Sequence, residues 1–289
     1  MRWLVILLFA GLLLFHFSCG SPDNGDRPEV GITLDSLVRR VAIPSQQMGK
    51  VFNANVILPE SYFLDTTPRF YPVVYLLHGY SGNFSNWHEK VPSLRKLASQ
   101  HQLILVCPEG NFSSWYLDSS LDSGMLFFTY ISQEVPSYID AHFRTYDDAR
   151  YRGITGLSMG GHGALLIALA HPDWFGAAGS MSGVVDLRTH PNDYDIAKHL
   201  GSYEADTLLW AANSVVEIAS QRRRSNPKLI IDCGTSDSLI IDNRRLHEVL
   251  LENNIPHTYT ERPGNHDWLY WEEAINYQLL FFDRFFKEG

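Results

Sequence analysis

An α/β fold, a mostly parallel sheet with helices on both faces, is predicted by three features of this 289-residue sequence. Short apolar runs of strand character alternate with helix-forming stretches along most of the chain. The run Pro72-Val73-Val74-Tyr75-Leu76-Leu77 is apolar throughout, as a strand covered on both faces must be. The 45% hydrophobic content is ample for one large core.

The elements follow in order. Leu37 to Ile43 and Val51 to Leu58 read as two strands joined by the turn Pro44 to Gly49. The strand ending at Leu77 runs into the turn His78-Gly79-Tyr80-Ser81-Gly82, and a helix is expected near Ser93 to Gln100. Next come a strand from Leu103 to Cys107, an aromatic loop from Asn111 to Asp122 and a long helix from Phe127 to His142. Beyond a strand over Tyr151 to Thr155 and a helix through Ala170, three more strands are expected at Ala177–Met181, Leu229–Cys233 and His257–Glu261. The connection from Asp186 to Lys228 is too long for a simple crossover. It holds an expected helix, Thr207 to Arg222, and is placed to roof a site at the strand ends.

Charge and the amino terminus narrow the partners. A net charge of -9 argues against nucleic acid and anionic membrane surfaces, which require clustered Lys and Arg. The basic run Arg222-Arg223-Arg224 reads as the solvated end of a helix, where cations suit the dipole. Met1-Arg2 followed by the apolar run Trp3 to Phe17 is a targeting segment, too short for a comfortable membrane span. With Cys19 directly after it and a polar tether beyond, it resembles a bacterial lipoprotein signal, although His16 stands where Leu is usual. An ordinary secretory signal is the alternative. The expected organisation is a signal peptide at 1–18, a tether at 19–32 and one domain at 33–289. Export is expected on either reading, with the membrane met only through lipid on Cys19.

Chemistry concentrates in Gly156-Leu157-Ser158-Met159-Gly160-Gly161-His162-Gly163, a strand-to-helix turn that holds a serine hydroxyl in the open. Ser158 is therefore the candidate nucleophile. A serine hydroxyl is weak and needs a base, and the base needs a carboxylate to orient it. Asp237 follows the strand ending at Cys233, and His266 follows the next strand, so two adjacent strand ends would bring both toward Ser158. Asp242 is the reserve acid, while Asp232 lies within a strand and Asp267 is badly placed beside His266. His162, His171, His190, His199, His247 and His257 compete with His266. His162 is nearest in sequence, but four residues along the elbow helix its ring should pack beside the turn. Oxyanion donors are expected from the Met159 amide and from the loop carrying Tyr80.

With Tyr75-Leu76-Leu77-His78-Gly79, the serine elbow, Gly234-Thr235-Ser236-Asp237 and Gly264-Asn265-His266-Asp267-Trp268 in this order, the chain resembles the esterase D family of α/β-hydrolases. That family spans tributyrin, feruloyl and acetylxylan esterases, S-formylglutathione hydrolases and the mycobacterial antigen 85 mycolyltransferases. The resemblance runs from about Val41 to about Phe286. It implies an α/β-hydrolase fold, Ser158, Asp237 and His266 as nucleophile, acid and base, and oxyanion amides at Tyr80 and Met159. No metal or organic cofactor is implied. His78 stands where the mycolyltransferases carry Asp, which leans toward hydrolysis. His78, Trp115 and Tyr116 are expected to border a substrate pocket. In this fold the strands ending at Cys107 and Cys233 are not neighbours, so no disulfide is expected. The implied activity is hydrolysis of short-chain acyl, acetyl or feruloyl esters of carbohydrates or small alcohols through an acyl-enzyme. Acyl transfer and a non-catalytic, lipid-tethered carbohydrate-binding protein on the same scaffold remain the alternatives.

Overall fold

The computed structural model describes residues 34–222 and 227–288. The expected leader, Cys19 and tether, and Arg223 and Arg224 of the basic run, lie outside the described residues. One eight-stranded sheet organises the rest, in the order β1-β2-β4-β3-β5-β6-β7-β8. Its strands are β1 (Val38–Ser45), β2 (Lys50–Ile57), β3 (Val73–Leu77), β4 (Ile104–Pro108), β5 (Arg152–Gly156), β6 (Ala177–Met181), β7 (Lys228–Gly234) and β8 (His257–Arg262). The β1–β2 hairpin and the β2–β4 pair are antiparallel. Every pairing from β4 to β8 is parallel. The hairpin turns tightly because Ser45 Oγ accepts from the Met48 amide at 3.1 Å and Gly49 takes a φ of 62°, where a side chain would be strained.

The β3 strand shows why its run is apolar throughout. Val73, Tyr75 and Leu77 enter a core shared with the helix Met159–Ala170. Val74 and Leu76 enter a second core on the opposite face, with Trp87, Leu94 and residues of the helix Trp268–Glu288. Period-two alternation across a covered sheet thus places apolar groups on both sides. Cys107 in β4 and Cys233 in β7 are both free, and β3, β5 and β6 lie between their strands. Four inter-strand steps of about 4.8 Å far exceed the reach of a disulfide.

Two expected helices are interrupted. The stretch from Phe127 to His142 is helical, but Tyr130–Glu134 widens into a π turn before the α-helix Val135–His142. Pro136 has no amide to give the Ser132 carbonyl and its ring would crowd that group, so the chain widens just before it. The segment expected as one helix from Thr207 to Arg222 splits into Thr207–Ala212 and Val215–Gln221. Asn213 Nδ2 donates to the Leu209 carbonyl and Ser214 Oγ to the Trp210 carbonyl, each at 2.8 Å, while the Ser214 backbone is extended. The 21-residue helix Trp268–Glu288 lay beyond the sequence reading, which stopped at the motif around His266. Its buried positions 270, 271, 274, 275, 278, 279 and 282 nevertheless repeat with helical spacing.

Candidate active site

The elbow is built by close approach. Gly160 lies so near the end of β3 that a Cβ there would overlap the carbonyl oxygens of Leu77 and His78. Glycine lets the helix start directly against the loop that carries Tyr80. Ser158 is the residue between β5 and that helix, and it adopts φ 53° and ψ −118°. A non-glycine residue in such a conformation costs about 1–3 kcal/mol. The turn holds it there: the Ser158 amide donates to the Met181 carbonyl at 3.0 Å and the Gly160 amide to the Leu157 carbonyl at 2.7 Å.

His266 and Asp237 reach the serine from neighbouring strand ends. Gly234 of β7 pairs in register with Arg262 of β8, and the two following loops are joined by a hydrogen bond from the Ser236 amide to the Gly264 carbonyl at 2.9 Å. His266 Nε2 lies 3.0 Å from Ser158 Oγ, and His266 Nδ1 lies 2.9 Å from Asp237 Oδ2. The other carboxylate oxygen of Asp237 accepts from the Leu239 amide at 2.9 Å. Asp237 is buried, and burial alone would push its carboxyl up. The hydrogen bonds from His266 and Leu239 and the His266 charge outweigh that and hold it below the usual carboxylate range. The Trp271 ring stands edge-on to the His266 ring at 4.9 Å and limits its rotation.

The competing residues are engaged elsewhere. Asp232 forms a bidentate pair with Arg262, at 2.6 and 2.9 Å. Asp242 faces Thr189 and His190 rather than His266. Asp267 accepts from the Tyr270 amide at 3.0 Å, in the first turn of the final helix. His247 and His257 contact each other at 2.7 Å. His162 is fully buried, with Nε2 2.9 Å from the Asn213 carbonyl and Nδ1 3.2 Å from the Trp115 carbonyl. Burial pushes its imidazole down to about 4, so it is neutral at pH 7 and has one N–H for two carbonyls. The shorter contact is the hydrogen bond. It fastens the elbow helix to the carbonyl exposed by the Asn213–Ser214 break.

Ser158 and His266 open into a cavity of about 290 Å³. Its wall includes Tyr80, Trp115, Tyr194, Leu239, Trp268 and Trp271. Of the three residues expected to border it, Trp115 does and His78 and Tyr116 do not. His78 is buried beneath the loop, where Nε2 accepts from the Gly110 amide at 2.8 Å and Nδ1 lies 2.9 Å from the Gly79 carbonyl. Tyr116 packs against Gly163, and its hydroxyl donates to the His78 carbonyl at 2.9 Å. Both side chains therefore brace the loop from behind. Met159 is buried, and its amide is the first of the elbow helix, which has no acceptor within the helix.

Sequence reading missed Tyr194, Trp268 and Trp271. Tyr194 comes from the long 186–228 connection, where no periodicity marks it. Trp268 and Trp271 had a signal: Trp268 ends the histidine motif itself, and the two open a helical pattern.

Known proteins share this architecture. Residues 45–282 match the model of the Esterase family, described as "Putative esterase". An esterase of Mycobacterium tuberculosis is 31% identical over 243 residues, covering 73% of this chain and 52% of its own, so the chain spans about half the length of that relative. An acetyl esterase of Caldicellulosiruptor saccharolyticus is 28% identical over 214 residues, covering 70% of this chain and 79% of its own. A solved ferulic acid esterase superposes with a TM-score of 0.74 at 27% identity, covering 86% of this chain and 98% of its own. A mostly parallel eight-stranded sheet, the serine elbow and these similarities agree, and the chain belongs to the Esterase family of α/β-hydrolases.

Proposed function

We propose that the chain is a serine carboxylic-ester hydrolase that works through an acyl-enzyme on Ser158. The observation that carries this reading is the unbroken relay from Ser158 Oγ through both ring nitrogens of His266 to Asp237, at 3.0 and 2.9 Å. His266 Nε2 takes the serine proton as Oγ attacks the ester carbonyl, and Asp237 holds the proton on Nδ1 so that Nε2 is free to accept. The Tyr80 and Met159 amides receive the oxyanion. His266 then returns the proton to the departing alcohol, and water repeats the sequence to release the acid.

The size of the cavity bears on the acyl group. At about 30 Å³ per water-sized group, a volume of about 290 Å³ accommodates an acetyl group or one ring and is filled by an acyl chain of about eight carbons. Two relatives point the same way by name, one an acetyl esterase and one a ferulic acid esterase. Short acyl or single-ring acyl esters, including those of carbohydrates, are the substrates this reading favours. A panel of p-nitrophenyl esters from acetyl to palmitoyl, with methyl ferulate and an acetylated xyloside, tests it. The expected result is a maximum of kcat/KM at acetyl to butyryl and a fall of about tenfold or more beyond octanoyl. A preference for palmitoyl, or no turnover of any ester, would contradict it.

A further inference from the structure

The segment from Thr189 to Asp195, within the connection between β6 and β7, brings Tyr194 into the cavity wall and is fastened on both sides. On one side Thr189 Oγ1 donates to Asp242 Oδ2 at 3.0 Å, and His190 Nε2 lies 3.4 Å from the same oxygen. Asp242 stands in the helix Ile240–Glu252, which follows the Asp237 loop. On the other side the Tyr80 hydroxyl donates to Asp195 Oδ2 at 3.1 Å, while Lys198 holds Asp195 Oδ1 at 2.9 Å. In between, Trp115 Nε1 donates to the Tyr194 carbonyl at 2.9 Å.

These fastenings hold the backbone in an uncommon state. Tyr194 and Asp195 are successive non-glycine residues with φ of 55° and 62°. Such conformations persist where the surroundings over-determine them, and they gather at ligand clamps. The Tyr194 ring contacts Tyr80 at 5.6 Å, His190 at 5.9 Å and Trp115 at 6.3 Å between centroids. It still leaves 47% of the residue exposed, in the same cavity wall as Ser158. A large ring held this firmly and left half bare presents a flat apolar surface to whatever occupies the cavity.

We propose that Tyr194 is a specificity-determining residue whose ring receives a flat-faced ring of the substrate, with the Tyr80–Asp195 hydrogen bond fixing it in place over Ser158. The inference deepens the ester-hydrolase reading and rests on it. The flat face belongs to an aromatic acyl group or to a sugar alcohol, and the experiment separates the two.

The test measures kcat/KM on methyl acetate, methyl ferulate and an acetylated methyl xyloside for wild type, Tyr194→Ala, Tyr194→Phe and Asp195→Ala. Tyr194→Ala should lower the ratio of ring ester to methyl acetate by roughly 3- to 10-fold for at least one ring ester, the range of an aromatic pair contact. The ester affected identifies which part of the substrate meets the ring. Tyr194→Phe keeps the wild-type ratio because the face is retained, and Asp195→Ala lowers it in the same direction as Tyr194→Ala. An equal fall on all three esters would assign Tyr194 a structural role only, and unchanged kcat/KM on all three would remove it from the substrate site. Either outcome overturns this inference while leaving the hydrolase reading intact. Failure of wild type to turn over all three would instead overturn both.

Discussion

Replacing Ser158 with alanine is expected to lower kcat on p-nitrophenyl acetate by about 10⁶-fold, the scale seen when a serine nucleophile is removed from a triad hydrolase. The loss comes from the bond that Oγ forms. Residual turnover of roughly 10³ over water is expected, because the oxyanion amides and the cavity remain. Folding should be little affected. Alanine keeps the Cβ and the same left-handed strain at φ 53°, and the Ser158 amide still donates to Met181. Steady-state kinetics alongside thermal melts of both proteins check the prediction; equal rates would sink the assignment.

Asp237→Asn carries the second largest expected effect, a fall of about 10⁴ in kcat. Asp237 does not line the cavity, so KM should change little. The carboxylate accepts from the Leu239 amide through Oδ1 and faces His266 Nδ1 with Oδ2, which leaves Nε2 bare toward the serine. An amide at this position can turn its NH₂ toward Nδ1, which places the ring proton on Nε2, where it blocks the uptake of the serine proton. Despite its burial, the Asp237 carboxyl is held below its ordinary value by the hydrogen bonds from His266 and Leu239, so it stays ionised through the range where an ordinary carboxylate does. The stability that its ionised form contributes is present above the ordinary carboxylate value and is lost as the pH falls through the lowered one. Loss of wild-type activity at a pH above the ordinary carboxylate range therefore does not arise from Asp237. Asp242→Asn is the control, since Asp242 holds Thr189 and His190 in the segment that carries Tyr194. A 10⁴-fold loss there with Asp237→Asn unaffected would move the acid.

The sheet and the relay were legible because each rests on a local pattern. Strand runs such as Val73–Leu77 carry their burial in their composition, and parallel strands place their following loops at one end of the sheet. A serine on a glycine turn, an acid after β7 and a histidine after β8 must then converge. His78 and Tyr116 misled because closeness in sequence to the site does not fix side-chain direction. His78 follows β3 but turns under the loop to accept from Gly110, and Tyr116 fills the space that Gly163 leaves. Tyr194 was hidden for another reason. Its place over the cavity depends on Asp242, Tyr80 and Trp115, three residues from three distant parts of the chain. The Asn213–Ser214 break lay in between: two side chains able to compete for helix carbonyls were visible, but not that both would do so.

The central claim is that Ser158 Oγ is the atom that becomes acylated. Reaction of the full chain with an alkyl fluorophosphonate, followed by peptide mapping, tests this most directly. The account predicts one phosphonyl group per chain, on the peptide containing Ser158, with loss of esterase activity in step with labelling and no label on Ser158→Ala. A stoichiometric adduct on another residue, or full activity in a chain whose Ser158 is phosphonylated, would contradict it.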